Sequence, residues 1–176
     1  MNKNNSAEFD AYVEEIKKEF PNFEIVPKQD SRLMKFIYNV TLMRFWNPQF
    51  MGYFITTMFG KVYMPKQYIG MPTMVDVLRH EVVHLRDMKK YPVLFELTYI
   101  LFPLPIVFTM RAFWEYRGYC ESILANNDRY GYISSNSIDF FVEQFTGSNY
   151  LWMCPFPKFV RNKFLKFAKS KNIKVI

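Results

Sequence analysis

The chain is 176 residues long, half of it apolar and 19% aromatic, which excludes a disordered segment and is enough to close a core without disulfides or a structural metal. Its formal charge of +7 disfavours cationic partners and favours anionic ones. Cys120 and Cys154 stand in no redox or metal spacing, so they argue for no disulfide framework and a reducing compartment is expected.

Met1 to Glu8 is polar and Asn-rich, without the apolar stretch of a secretory signal, and reads as a flexible tail of an intracellular protein. Tyr12, Val13, Ile16 and Phe20 recur at helical spacing and predict an amphipathic helix over 9–20, ended by Pro21. A brief strand is expected over 23–26. Ser31 can cap a helix running to about Trp46, with Leu33, Phe36, Ile37, Val40 and Met43 on its buried face and Asn47-Pro48 as its stop. From Tyr53 to Met64, β-branched and aromatic residues split by Gly60 predict a hairpin or bent strand.

Pro72 and Thr73 open a helix through about Lys90, with Met74, Val75, Leu78, Val82 and Leu85 as its buried stripe. Residues 93–110 are almost wholly apolar, at the lower edge of a membrane-spanning length. Glu96 lies inside the run, Pro103 and Pro105 interrupt it, and no second apolar span accompanies it. A buried helix with a Pro bend is therefore preferred over a span or a membrane-surface hairpin.

A helix is expected from about residue 105 or 111 to Asn127, then a polar loop over 131–137 and a short helix over 138–145. An aromatic loop, Tyr150 to Pro157, leads to a last helix from Lys158 to about Ser170, with Phe159, Val160, Phe164 and Phe167 turned inward. The basic residues of 158–176 suit a solvated face, with an anionic surface or polymer as the alternative partner. No repeat or low-complexity linker divides the chain, and a single domain over 1–176 is expected.

His80-Glu81-Val82-Val83-His84 is an H-E-x-x-H sequence inside the best helix of the chain. Four-residue spacing places both imidazoles on one face, within reach of one tetrahedral ion, with zinc the expected metal. Glu81 lies about 100° around the helix, beside the ligands, where it can act as catalytic base. His80 and His84 are the only histidines of the chain. Two histidines placed at random would adopt this spacing, with glutamate in that slot, roughly once in 1,500 arrangements.

Zinc then needs a third protein ligand that is not histidine, a carboxylate in preference to a cysteine. Asp87 is too close along the same helix. Glu115 is preferred over Glu121 and Glu96, because small Gly118 lies on the same face three residues on and would let a second helix approach the first.

These residues resemble the gluzincins, zinc peptidases with H-E-x-x-H on one helix and a glutamate ligand on a second. His80, Glu81 and His84 match, as does Glu115 in its Glu-x-x-Gly setting, and the strand-like Thr56 to Pro65 is similar to the strand before the metal helix in that group. The segments around 56–65, 79–87, 112–122 and 145–157 also resemble a small group of uncharacterised bacterial and phage-type metallopeptidase-like proteins.

The resemblance implies an α+β, mostly helical, zincin-like domain with a small sheet or hairpin before the metal helix, whose edge pairs with an extended peptide. It also implies Zn2+ held by His80, His84 and Glu115, and a peptide or protein substrate. The chain departs from the group in two places. Tyr119 stands where an aspartate often orients a histidine, and with no histidine left, the oxyanion would fall to Tyr116, Tyr119, Tyr150 or Arg117. The expected function is a zinc-dependent peptidase. The alternative is a catalytically silent zincin-fold protein, a virion or membrane-associated component using its aromatic loop and basic helix for contacts.

Overall fold

The computed structural model describes residues 4–40, 43–100, 110–148 and 152–176, and the chain packs as two compact units, Met1–Lys90 and Tyr91–Ile176. The architecture is α+β and mostly helical, with a small three-stranded sheet ahead of the helix that carries both histidines.

In the first unit, helix α1 spans Asn4–Glu19. It begins inside the segment that reads as a tail, since nothing from Asn4 to Phe9 breaks a helix. Strand β1, Glu24–Pro27, runs parallel to β3, Lys61–Met64, and β2, Thr56–Met58, pairs with β3 from the other side in antiparallel register. The order β1-β3-β2 leaves Pro27 on an outer strand, where a missing amide proton is tolerated. Between β2 and β3 the chain reverses in two residues, Phe59 and Gly60, with φ of 51° and 74°, the backbone a two-residue hairpin requires. Gly60 adopts it without strain, and its amide donates to Met88 Sδ at 3.0 Å, tying the turn to helix α4, Met74–Lys90.

The helix expected over 31–46 is two helices, α2 (Arg32–Val40) and the single turn α3 (Met43–Trp46), with residues 41 and 42 outside the described residues. Ser31 caps α2 as expected, its Oγ accepting from the Met34 amide at 3.2 Å. The buried face is a different one. Met34 is fully buried, whereas Phe36 and Val40 are 62% and 59% exposed. The cap and the stacking of Tyr38 on Phe50 fix the rotation of this nine-residue helix. Packing thus outweighs the more apolar stripe.

The core of the first unit joins Phe9 and Ile16 of α1, Val62 and Met64 of β3, and Val75, Leu78, Val82 and Leu85 of α4. Burying each such side chain contributes roughly 1.5–3 kcal/mol, so the core fixes the rotation of α4.

In the second unit, α5 spans Pro92–Ile100, α6 Met110–Tyr130, α7 Ser135–Thr146 and α8 Pro157–Ser170. Among the described residues no helix is long and apolar enough to cross a membrane. Residues 101–109, with Pro103 and Pro105, lie outside them. α5 lies on α6 through Phe95 and Trp114, whose rings are 5.4 Å apart, and Trp114 Nε1 donates to Thr98 Oγ1 at 3.1 Å. Ser134 caps α7 by accepting from the Ser137 amide.

Phe164 of α8 is the hub of an aromatic core, in ring contact with Tyr116, Tyr119, Phe141 and Phe145. α8 buries Val160, Phe164 and Ala168, a stripe at four-residue spacing. Phe159, expected inside, falls one residue off that stripe and is exposed. Past α8, Val175 bridges back to Ile133 in parallel register.

Candidate metal centre

The apolar stripe of α4 decides where its polar residues point. With Val75, Leu78, Val82 and Leu85 on the core of the first unit, 100° per residue puts His80 and His84 on the opposite arc and Glu81 between the two. All three are buried. His80 Nε2 lies 3.1 Å from His84 Nε2, with ring centroids 4.9 Å apart and ring planes at 73°. Two Zn–N bonds of about 2.0–2.1 Å at a tetrahedral angle set their nitrogens roughly 3.3 Å apart. The pair therefore fits a shared ion, provided each ring carries its proton on Nδ1.

One carboxylate oxygen of Glu115 and one ring nitrogen from each histidine lie within 4.8 Å of one another, and all three side chains are buried. The group could hold a metal ion. It is the one such set among the described residues. Of the other carboxylates considered from sequence, Asp87 is buried on α4, and Glu96 and Glu121 are half-buried on α5 and α6. None of these belongs to the set.

Each of the two buried glutamates is held by a hydroxyl that the sequence does not mark as functional. Thr57 Oγ1, fully inside β2, donates to Glu81 Oε2 at 2.6 Å. Tyr99 of α5 donates through its hydroxyl to Glu115 Oε1, also at 2.6 Å. Hydrogen bonds of this length to carboxylates are charge-assisted and orient the acceptor firmly. Glu81 lies outside the metal set, so it neighbours the ligands without taking a coordination position.

Lys28 is the third residue that sequence reasoning missed. It follows β1, is fully buried, and its Nζ donates to Phe50 O, Phe54 O and Thr56 Oγ1 at 2.8–2.9 Å while lying 3.6 Å from the centre of the Phe50 ring. All three ammonium protons are used. Burial pushes its pKa down to about 7, with the Glu81 carboxylate pulling the other way. Adjacent strand residues face opposite sides of a sheet. Thr56 thus meets Lys28 while Thr57 meets Glu81.

Three of the four residues considered for oxyanion stabilisation are engaged elsewhere. Tyr119 is in the aromatic core, and Tyr116 stacks on Phe164, with burial raising its pKa well above the usual tyrosine range and Cys120 raising it further. Arg117 is exposed and lies over the Phe113 ring. Tyr150 is outside the described residues.

No family model matches the chain, and no curated protein or solved structure matches it.

Proposed function

We propose that the chain is a zinc-dependent peptidase of the gluzincin kind, with His80, His84 and Glu115 as metal ligands and Glu81 as general base. The observation that carries this reading is the buried His-His-Glu set with a separate buried carboxylate beside it. Three ligands leave a position open for chemistry, and the second carboxylate, Glu81, has no coordination role to explain its burial. A zinc ion held there supplies a Lewis acid, polarising a carbonyl and acidifying water.

Glu81 receives the proton from the attacking water. Thr57 occupies Oε2, which leaves Oε1 as the accepting atom and fixes the direction in which it points. The same carboxyl then returns the proton to the departing amine. A peptide substrate is favoured by β2, which is an outer strand of the sheet. Its outer side can add an extended segment through main-chain hydrogen bonds, next to the carboxylate that Thr57 holds.

The test combines metal analysis with proteolysis. Purified protein is expected to hold one zinc per chain and to cleave members of a peptide library in a chelator-sensitive manner. Glu81→Gln keeps the metal and abolishes cleavage. Full metal occupancy without cleavage of any peptide would instead establish the alternative, a silent zincin-like scaffold. An absence of bound metal would remove both.

A further inference from the structure

The segment 152–176 contains Lys158, Arg161, Lys163, Lys166, Lys169, Lys171 and Lys174 and not one acidic residue. Arg161 is tied down by Asp139 and Ser135, and the six lysines are all exposed. Ahead of them stands an aromatic tip. Trp152, Phe156 and Phe159 are 44%, 50% and 53% exposed. Residues 154–159, including Pro155 and Pro157, line an open cavity of about 480 Å³ with almost wholly apolar walls.

At about 100° per residue, Phe159 falls on the same arc of α8 as Lys158, Lys163 and Lys166, away from the buried stripe of Val160, Phe164 and Ala168. Lys163 Nζ lies 5.5 Å from the Phe159 ring centre. This face is therefore apolar at its tip and cationic around and behind it.

We propose that the aromatic tip and the lysine face of α8 dock the protein on an anionic lipid bilayer surface. Exposed Trp and Phe gain by entering the headgroup–acyl boundary, where lysine stems lie along the apolar layer and their ammonium groups meet lipid phosphates. Charge complementarity selects an anionic surface over a neutral one. The apolar cavity selects hydrocarbon over a nucleic-acid strand. Base edges would enter a space with almost no polar wall to satisfy them, whereas acyl chains need none.

The test is flotation of the full chain with phosphatidylcholine vesicles, with and without phosphatidylglycerol. Binding is expected only to the anionic vesicles and to fall as salt rises. The triple variant Trp152→Ser, Phe156→Ser, Phe159→Ser, with an unchanged thermal melt, loses at least about tenfold in partitioning. Lys163→Glu with Lys166→Glu and Lys169→Glu removes the preference for anionic lipid. Wild-type protein that stays unbound with both vesicle types overturns the proposal. So does a triple serine variant that binds like wild type, or a single-stranded oligonucleotide that binds more tightly than vesicles through the same residues. Metal content and peptidase activity play no part in the readout.

Discussion

Glu81 and Glu115 are both buried, and each accepts one hydroxyl hydrogen bond of 2.6 Å. Their surroundings nevertheless differ in kind. Glu81 is held from a strand whose next residue back, Thr56, bonds the buried Lys28 amine, whose pKa burial lowers to about 7, so its neighbourhood holds a titratable cation inside a sheet-and-helix core. Glu115 is held by a tyrosine from a preceding helix, and it belongs to the ligand set. A base must be aimed while staying chemically available, whereas a ligand must present its oxygen to one point. Under the proposed function, the two carboxylates are dressed for different tasks.

The sharpest way to break this contrast is to neutralise each acid in turn. Glu81→Gln is expected to lower kcat by about 10²–10⁴ with zinc content unchanged. Glu115→Gln is expected to lose zinc first, and its activity should return in part at high added zinc. If both variants lose metal alike, or neither does, the division of roles fails.

Next in size is Tyr99, the tyrosine bonded to the proposed ligand Glu115. Tyr99→Phe removes the hydroxyl and keeps the ring, which stacks on Phe95 at 5.0 Å. Loss of an outer partner to a ligating group weakens metal binding by about 10–100-fold. Competition with a chromophoric chelator should show that loss, while kcat of the zinc-saturated enzyme stays near wild type. An unchanged zinc affinity would assign Tyr99 to packing alone.

What the sequence makes legible here is what is local. His80 and His84 announce themselves because four-residue spacing on a helix guarantees a shared face whatever surrounds it. The hairpin is readable from β-branched and aromatic residues split by Gly60, and its turn does carry the positive φ values that a glycine marks. Glu115 was reachable only by elimination among few acids and by the glycine after it. Thr57 was not reachable as the partner of Glu81, because a register slip of one residue would present Thr56 instead. Lys28 looks like any lysine after a strand. Its caging by two carbonyls more than twenty residues away is a tertiary fact with no local signature. The α2 stripe misled for the reverse reason, an apolar pattern that packing left exposed.

Thr57→Val sharpens the Glu81 side with a smaller effect. It keeps the shape of a β-branched residue in β2 and deletes the donor, leaving a buried carboxylate oxygen without its partner at a cost of about 1–3 kcal/mol in stability. The expected result is a kcat about tenfold lower with KM and zinc content unchanged, largely restored by Thr57→Ser. A lowered melting temperature with unaltered kcat would make Thr57 purely structural.

The smallest expected effect on catalysis, yet the most specific to the Glu81 side, comes from Lys28. Its folded pKa is near 7, against about 10.4 in an unfolded chain. Between those values the unfolded chain holds a proton that the folded one has released, so stability rises with pH across the window, by up to about 1.4 kcal/mol per unit. Below it both states are protonated and this contribution is flat. Lys28→Met keeps the chain's bulk and removes the titration. Urea midpoints measured at pH 7 and pH 9 should therefore move apart, with wild type gaining on the variant at the higher pH. Parallel behaviour of the two proteins would mean that the ammonium keeps its charge throughout, held by its three acceptors and by Glu81. The positive charge beside the base would then be permanent, and the titratable cation that sets Glu81 apart from Glu115 would drop out of the comparison.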